Sequence, residues 1–200
     1  MSGPSPNDEE IQDSVHDAAF REQARILHSN SDNANLIVGC VLVAAPLYIG
    51  VDKLVLAVWL ALLIVANLLR SIVARRYDRP KYQDNPKAWV RLLSGVALVG
   101  GVVWGMPGAL LFLDPGPVSA ALIVFILAGV AAAGVAAAAV SVRVYLWFLI
   151  PVLVPMAAFF LLNEGLVNRM MGVLVIFFGL VLVKNVRSIE TSVIENAALN

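Results

Sequence analysis

The sequence predicts an all-α polytopic membrane protein: six transmembrane helices in three consecutive hairpins, with both termini in the cytoplasm. Of its 200 residues, 60% are hydrophobic and only 14% are charged, and the mean hydropathy is +0.84, a balance that soluble globular domains do not show. Six apolar runs, 34–51, 54–74, 88–113, 117–142, 144–162 and 166–183, approach or exceed the roughly 20 helical residues (range about 17–25) that cross a hydrocarbon core. Three of the connections, Val51-Asp52-Lys53, Asp114-Pro115-Gly116 and Asn163-Glu164-Gly165, leave room only for tight turns. The chain therefore divides into a cytoplasmic segment 1–33, a six-helix domain 34–183 and a connector 184–200.

Segment 1–33 is polar and acidic, with Asp8, Glu9, Glu10, Asp13 and Asp17 ahead of Arg21 and Arg25. It has no apolar core of the kind a cleavable signal peptide requires. Ile11, Val15, Ala18 and Ala19, then Phe20, Ala24 and Leu27, give part of it the spacing of a weakly amphipathic surface helix. His16 and His28 are the only histidines and read as solvated. The single cysteine, Cys40, lies in the first apolar run, where a thiol behaves as a small hydrophobe.

In the second run, Asn67, Arg70 and Ser71 share one face near the cytoplasmic end. A polar face in a membrane helix points into the bundle or toward a wet cavity, so Asn67 and Arg70 are candidate ligand contacts. Snorkelling of Arg70 to the headgroups, and bonding of Asn67 within the bundle, are the plainer reading.

Residues 92–141 form the expected packing centre. Ser94, Gly101, Gly105 and Gly108 recur at helical spacing in the third run, and Gly129 and Gly134 interrupt the alanine-rich fourth. Apolar burial gives little drive for helix association in a bilayer, so association relies on smooth faces that allow close van der Waals packing. Leucine at Gly101 or Gly105 is expected to disrupt this centre, and alanine to be mild. Trp104 sits between the two glycines and is a candidate pocket wall, whereas Trp59, Trp89 and Trp147 fall near predicted interfaces as an aromatic belt.

Pro151 and Pro155, one turn apart in the fifth run, remove the N–H groups that would reach the carbonyls of Trp147 and Pro151, which predicts a kink. Trp147, Pro151 and Pro155 are candidate ligand contacts on that kink. Arg169, at the start of the sixth run, is a candidate for an anionic headgroup or an interfacial anchor.

Orientation follows from the 14 Lys and Arg residues. Twelve of them (Arg21, Arg25, Arg70, Arg75, Arg76, Arg79, Lys81, Lys87, Arg91, Arg143, Lys184, Arg187) fall on one side, and only Lys53 and Arg169 on the other. The positive-inside rule puts the rich side in the cytoplasm. The 14 acidic residues cancel the total charge, so nothing points to nucleic acid. No Asp, Glu or His lies inside the six runs, and no phosphate-binding glycine pattern or metal-ligand spacing occurs, which argues against an enzyme and against a cofactor or metal.

Beyond the sixth run, residues 184–196 continue with no Gly or Pro to stop a helix. Leu182, Val186, Ile189 and Val193 are spaced four, three and four apart, the a/d seam of a coiled coil. A homodimer through this helix is expected, with a solvated terminal helix as the plainer reading.

The segment 20–28 (FREQARILH), the Trp59 to Arg70 helix ending in Arg75-Arg76, the Trp89-Val90-Arg91 start and the run Gly100-Gly101-Val102-Val103-Trp104-Gly105 together resemble the amino-terminal six-helix membrane sensor domains (MASE-like) of bacterial signalling proteins. The resemblance covers roughly residues 18 to 196 as a diffuse pattern. It implies a bacterial inner-membrane module that senses a small apolar or membrane-soluble signal. Such a module relays it to a histidine kinase, diguanylate cyclase or phosphodiesterase domain. No such output domain lies within the 200 residues, so it is expected downstream or on a separate partner. The competing expectation is a small transporter or channel-like protein, suggested by the glycine-rich helices and the kinked fifth run, although transporters usually carry intramembrane charges and repeats.

Overall fold

The computed structural model describes residues 53–75, 86–109, 112, 117–138 and 141–198. The first predicted run, the amino-terminal segment with its two histidines, and Cys40 lie outside the described residues. Five helices follow: α1 (Lys53–Arg75), α2 (Pro86–Ala109), α3 (Pro117–Ala138), α4 (Val142–Leu162) and α5 (Leu166–Ala198). Four stretches are long and apolar enough to cross a membrane: Lys53–Val73, Ala88–Ala109, Val142–Leu162 and Leu166–Ser192. The fifth helix, α3, is 22 residues long and apolar on every side. Among the described residues there is no strand.

Two helix ends bear on the sequence expectation. The third run was expected to reach residue 113; α2 is described as far as Ala109. Phe112 meets Phe159 edge to face, with ring centroids 5.4 Å apart. The sixth run and the connector form one continuous helix of 33 residues, about 50 Å at 1.5 Å per residue. A hydrocarbon core is about 30 Å thick, so α5 runs well past it.

Neighbouring helices pair in a simple register. α1 and α2 are antiparallel, Trp59 lying beside Trp104 in mid-helix and Val73 beside Trp89 at one end. α4 and α5 are also antiparallel: Gly172 meets Leu161, and Gly179 meets Leu153. α2 and α4 are parallel, with Gly101 on Phe148, Gly105 on Pro151 and Gly108 on Pro155. This parallel pair shares the most extensive interface of the bundle, because neither backbone is held off by a side chain at the crossing.

A Cβ built at Gly101 collides with the Phe148 carbonyl oxygen and lies 3.0 Å from both the carbonyl carbon and Cα of that residue; one at Gly105 collides with the Pro151 carbonyl oxygen. These are backbone atoms that cannot rotate away. The expectation that alanine is mild here is therefore corrected, since the first carbon of any side chain already meets α4. The partner is also corrected. The glycine face of α2 lies on α4 rather than on α3, and among the described residues nothing lies within 4 Å of a Cβ built at Gly129 of α3. Gly134 does pack, since a Cβ built there would lie 2.8 Å from the Phe148 ring, and Ser94 is buried with its hydroxyl donating to Val90 O at 2.8 Å.

The inward face of α1 is an unbroken stripe of Leu56, Trp59, Leu63, Ala66, half-buried Arg70 and Val73, spaced three and four apart. Its other faces carry exposed Leu and Val, as suits a helix wrapped by lipid. Gly165, at φ +109, turns the chain between α4 and α5 in a conformation that side chains disfavour.

Gly101→Ala and Gly105→Ala are each expected to lower bundle stability by about 1–3 kcal/mol, the usual cost of overpacking. Gly100→Ala, which meets nothing within 4 Å among the described residues, should leave it unchanged. Thermal unfolding in nanodiscs measures the difference, and equal midpoints for Gly100→Ala and Gly101→Ala would show that α2 and α4 are not in backbone contact.

Candidate functional site

Two indoles and one phenol reach from one helix to a backbone carbonyl of the next. Pro107 lies inside α2 and has no N–H to give the carbonyl of Val103, four residues earlier. The indole N–H of Trp59 takes that carbonyl from α1 at 2.9 Å, and both groups are buried. The Trp59 ring stands edge-on to Trp104, with centroids 6.0 Å apart and planes at 83°, a preferred aromatic geometry. At the end of α1, Trp89, fully buried, donates its indole N–H to Val73 O at 3.2 Å. Val73 lies in the last described turn of α1.

α4 repeats the theme. Pro155 cannot donate to the carbonyl of Pro151, and that oxygen is the one Gly105 approaches. Such close approach of a glycine suits Cα–H···O contact. On α3, the phenol of Tyr145 from α4 donates to Ala131 O at 2.9 Å. Every buried side-chain nitrogen or oxygen among the described residues has a hydrogen-bond partner.

The seven ligand candidates read from sequence are not gathered into one site. Asn67 donates its amide to Leu63 O of its own helix at 2.9 Å, and Arg70 is half-buried on the inward stripe of α1. Trp104 is buried against Trp59. Trp147 is 48% exposed, whereas Pro151 and Pro155 face the α2 glycines. Arg169 lies beyond the opposite end of α4, exposed, its backbone N–H closing the turn onto Gly165 O. A shallow apolar recess on α3, lined by Val118, Ala121, Leu122 and Phe125, involves none of them. Among the described residues there is no cluster of three or more His, Cys, Asp or Glu suited to a metal.

The connector seam is corrected in part. Gly172, Val175, Gly179, Leu182 and Val186 form one buried stripe on α5, spaced three and four apart. Leu182 and Val186, at 6% and 0% exposure, belong to the core of their own bundle. The a/d period seen from sequence is thus the continuation of the stripe that packs inside the bundle, and those two residues are not available to a second copy. Ile189 is exposed, and the side chain of Val193 lies outside the described residues.

Sequence reasoning put Trp59 in an aromatic belt rather than in the core, and passed over Gly172 and Gly179. Each had a signal: Pro107 stands four residues after Val103, and the two glycines are seven residues apart, one heptad on the same face. No protein-family model, no curated protein and no solved structure matches the chain.

Interhelical hydrogen bonds in membranes average about 0.6 kcal/mol and reach about 1.7 kcal/mol. Trp59→Phe is expected near the upper figure, because Val103 O then has no donor on either helix. Trp89→Phe is expected near the lower one, because the bond to Val73 O, at 3.2 Å, is longer than the 2.9 Å bond of Trp59. Unfolding free energies of the two variants should rank in that order, and a reversed ranking would remove the assigned role of Pro107.

Proposed function

We propose that this chain is the membrane-embedded input module of a bacterial signal-transduction protein, responding to a small apolar or membrane-soluble signal and passing the response through α5. The observation that carries this reading is the continuity of α5. It leaves the bundle without a break and extends as helix to Ala198. A bundle of this kind relays a signal when the ligand binds two of its arrangements with different affinity.

In this reading six spans, including run 34–51, place both termini in the cytoplasm on the strength of the Lys and Arg asymmetry. Two copies pair through the part of α5 that lies beyond Val186, where Ile189 is exposed. The features that favoured a transporter, the glycine face and the paired prolines, are taken up in α2–α4 packing. They therefore lend little support to a substrate path.

Cysteine cross-linking in native membranes tests the proposal in a Cys40→Ser background. Ile189→Cys should give covalent dimers. Ser188→Cys, about 100° around the helix, should give fewer, and Leu182→Cys none. Uniform cross-linking across positions 188–196, or its absence, would leave α5 as a solvated terminal helix and end the signalling reading.

A further inference from the structure

α4 is packed by α2, α3 and α5, and apart from its last residue, Leu162, its exposed positions form a single stripe: Arg143, Trp147, Ile150, Val154 and Leu161. The exposed stripes of α2 and α5 open on the same side. On α2, exposed Val102 and Met106 each follow a contact glycine by one residue, a turn of about 100°, whereas on α4 Trp147, Ile150 and Val154 each precede a contact residue, Phe148, Pro151 or Pro155, by one. Opposite turns on two parallel helices that face each other point to one side. α5 is antiparallel to α4, so the same side is reached by turning in the same sense: Val154 follows Leu153, and exposed Leu180 follows Gly179. The three helices therefore present one continuous outer face.

At one end this face is edged by arginines. Arg91 continues the exposed stripe of α2, Arg143 begins that of α4, and Arg187 follows buried Val186 on α5 as Leu180 follows Gly179; all three are exposed. The contact register puts them at neighbouring heights. Arg143 precedes Phe148 by five residues and Arg91 precedes Gly101 by ten, while Arg187 follows Gly179 by eight and Arg143 precedes Leu153 by ten. At 1.5 Å per residue, Arg143 and Arg187 differ by about 3 Å along the bundle and Arg91 stands about 8 Å beyond Arg143, a spread that three long side chains can close on one head group. Trp147, one turn inside Arg143, is 48% exposed, and interfacial tryptophans sit at head-group depth. Among the described residues no acid shares this edge: Glu164 is at the other end, Glu190 is half-buried on the stripe that carries Val186, and Glu195 is two turns past Arg187.

We propose that the outer face of α2, α4 and α5 binds an anionic phospholipid, with its head group held by Arg91, Arg143 and Arg187 and its acyl chains laid along Val102, Ile150 and Val154. The charge complementarity is direct, because guanidinium groups match phosphate oxygens in pairs and basic sites between membrane helices select anionic head groups. One such lipid spans the two helices joined by the Gly101 and Gly105 contacts and the helix that leaves the bundle. The inference does not rest on the signalling reading. Arg187 and Ile189 are two residues apart, about 200° around α5, so a dimer through Ile189 leaves the lipid face open.

The test titrates the purified full chain in detergent with phosphatidylglycerol and counts bound lipid by native mass spectrometry. Each arginine at a lipid head group is worth about fivefold in affinity, so Arg143→Gln should weaken binding about fivefold and the triple variant Arg91→Gln, Arg143→Gln, Arg187→Gln about a hundredfold. Arg169→Gln, which removes an exposed cation at the other end, should bind as the parent does. Phosphatidylcholine, without net charge, should bind the parent about tenfold more weakly than phosphatidylglycerol. Parent-like binding by the triple variant, equal weakening by Arg169→Gln, or equal affinity for the two lipids would overturn the site. Displacement of the lipid by excess inorganic phosphate would overturn it too, by showing a site for free anions rather than for lipid. Should the triple variant fail to fold, Arg143→Gln decides alone, and parent-like affinity in that variant ends the proposal. The sensor reading fails through the dimer cross-linking pattern, a different measurement on a different side of α5.

Discussion

The bundle depends on one close approach, that of the α2 backbone to the α4 backbone at Gly101 and Gly105. Hydrophobic burial drives soluble helices together, but lipid tails are as apolar as leucine, so in a bilayer association rests on van der Waals contact and hydrogen bonds. Two bare backbone surfaces maximise the first. The parallel direction of α2 and α4 lets the glycine stripe run beside Phe148, Pro151 and Pro155 in register. α1 then packs on α2 and α5 on α4, as outer helices with largely apolar outward faces.

The second constraint is the fate of freed carbonyls. Water is absent from the hydrocarbon region, so each carbonyl that a proline deprives of its helical donor needs another partner. Trp59 supplies one to Val103, and Gly105 lies against the oxygen of Pro151. The tryptophan is thereby both an aromatic neighbour of Trp104 and a donor, a combination available to indole but not to phenylalanine. Side-chain polarity in this molecule is spent on holding backbone, and its candidate functional residues are largely structural in placement.

α5 shows how one periodicity serves two ends. Spacings of three and four describe equally a seam between two chains and a stripe against a neighbouring helix in the same chain. Along α5 the stripe packs inside the bundle as far as Val186, and the antiparallel register of Gly172 on Leu161 and Gly179 on Leu153 brings the start of α4 to that end. The stripe can serve a second copy only beyond that point, because there the chain's own α4 has ended.

Much of the fold was legible in the residues themselves. Run lengths and polarity were enough for α1, α4 and α5, and the absence of Gly or Pro after residue 179 was enough for the length of α5. The glycine pair of α2 was legible as a packing face because nothing else suits close approach. What it packs against was not, since a helical period names a face and leaves its partner to the topology. The tertiary structure put α4 rather than α3 beside Gly101, left Gly129 idle, and placed Leu182 and Val186 in their own core. It also decided that Trp59 is a donor rather than a belt residue, because the carbonyl freed by Pro107 is 44 residues away along the chain and is reached only when α1 and α2 lie side by side.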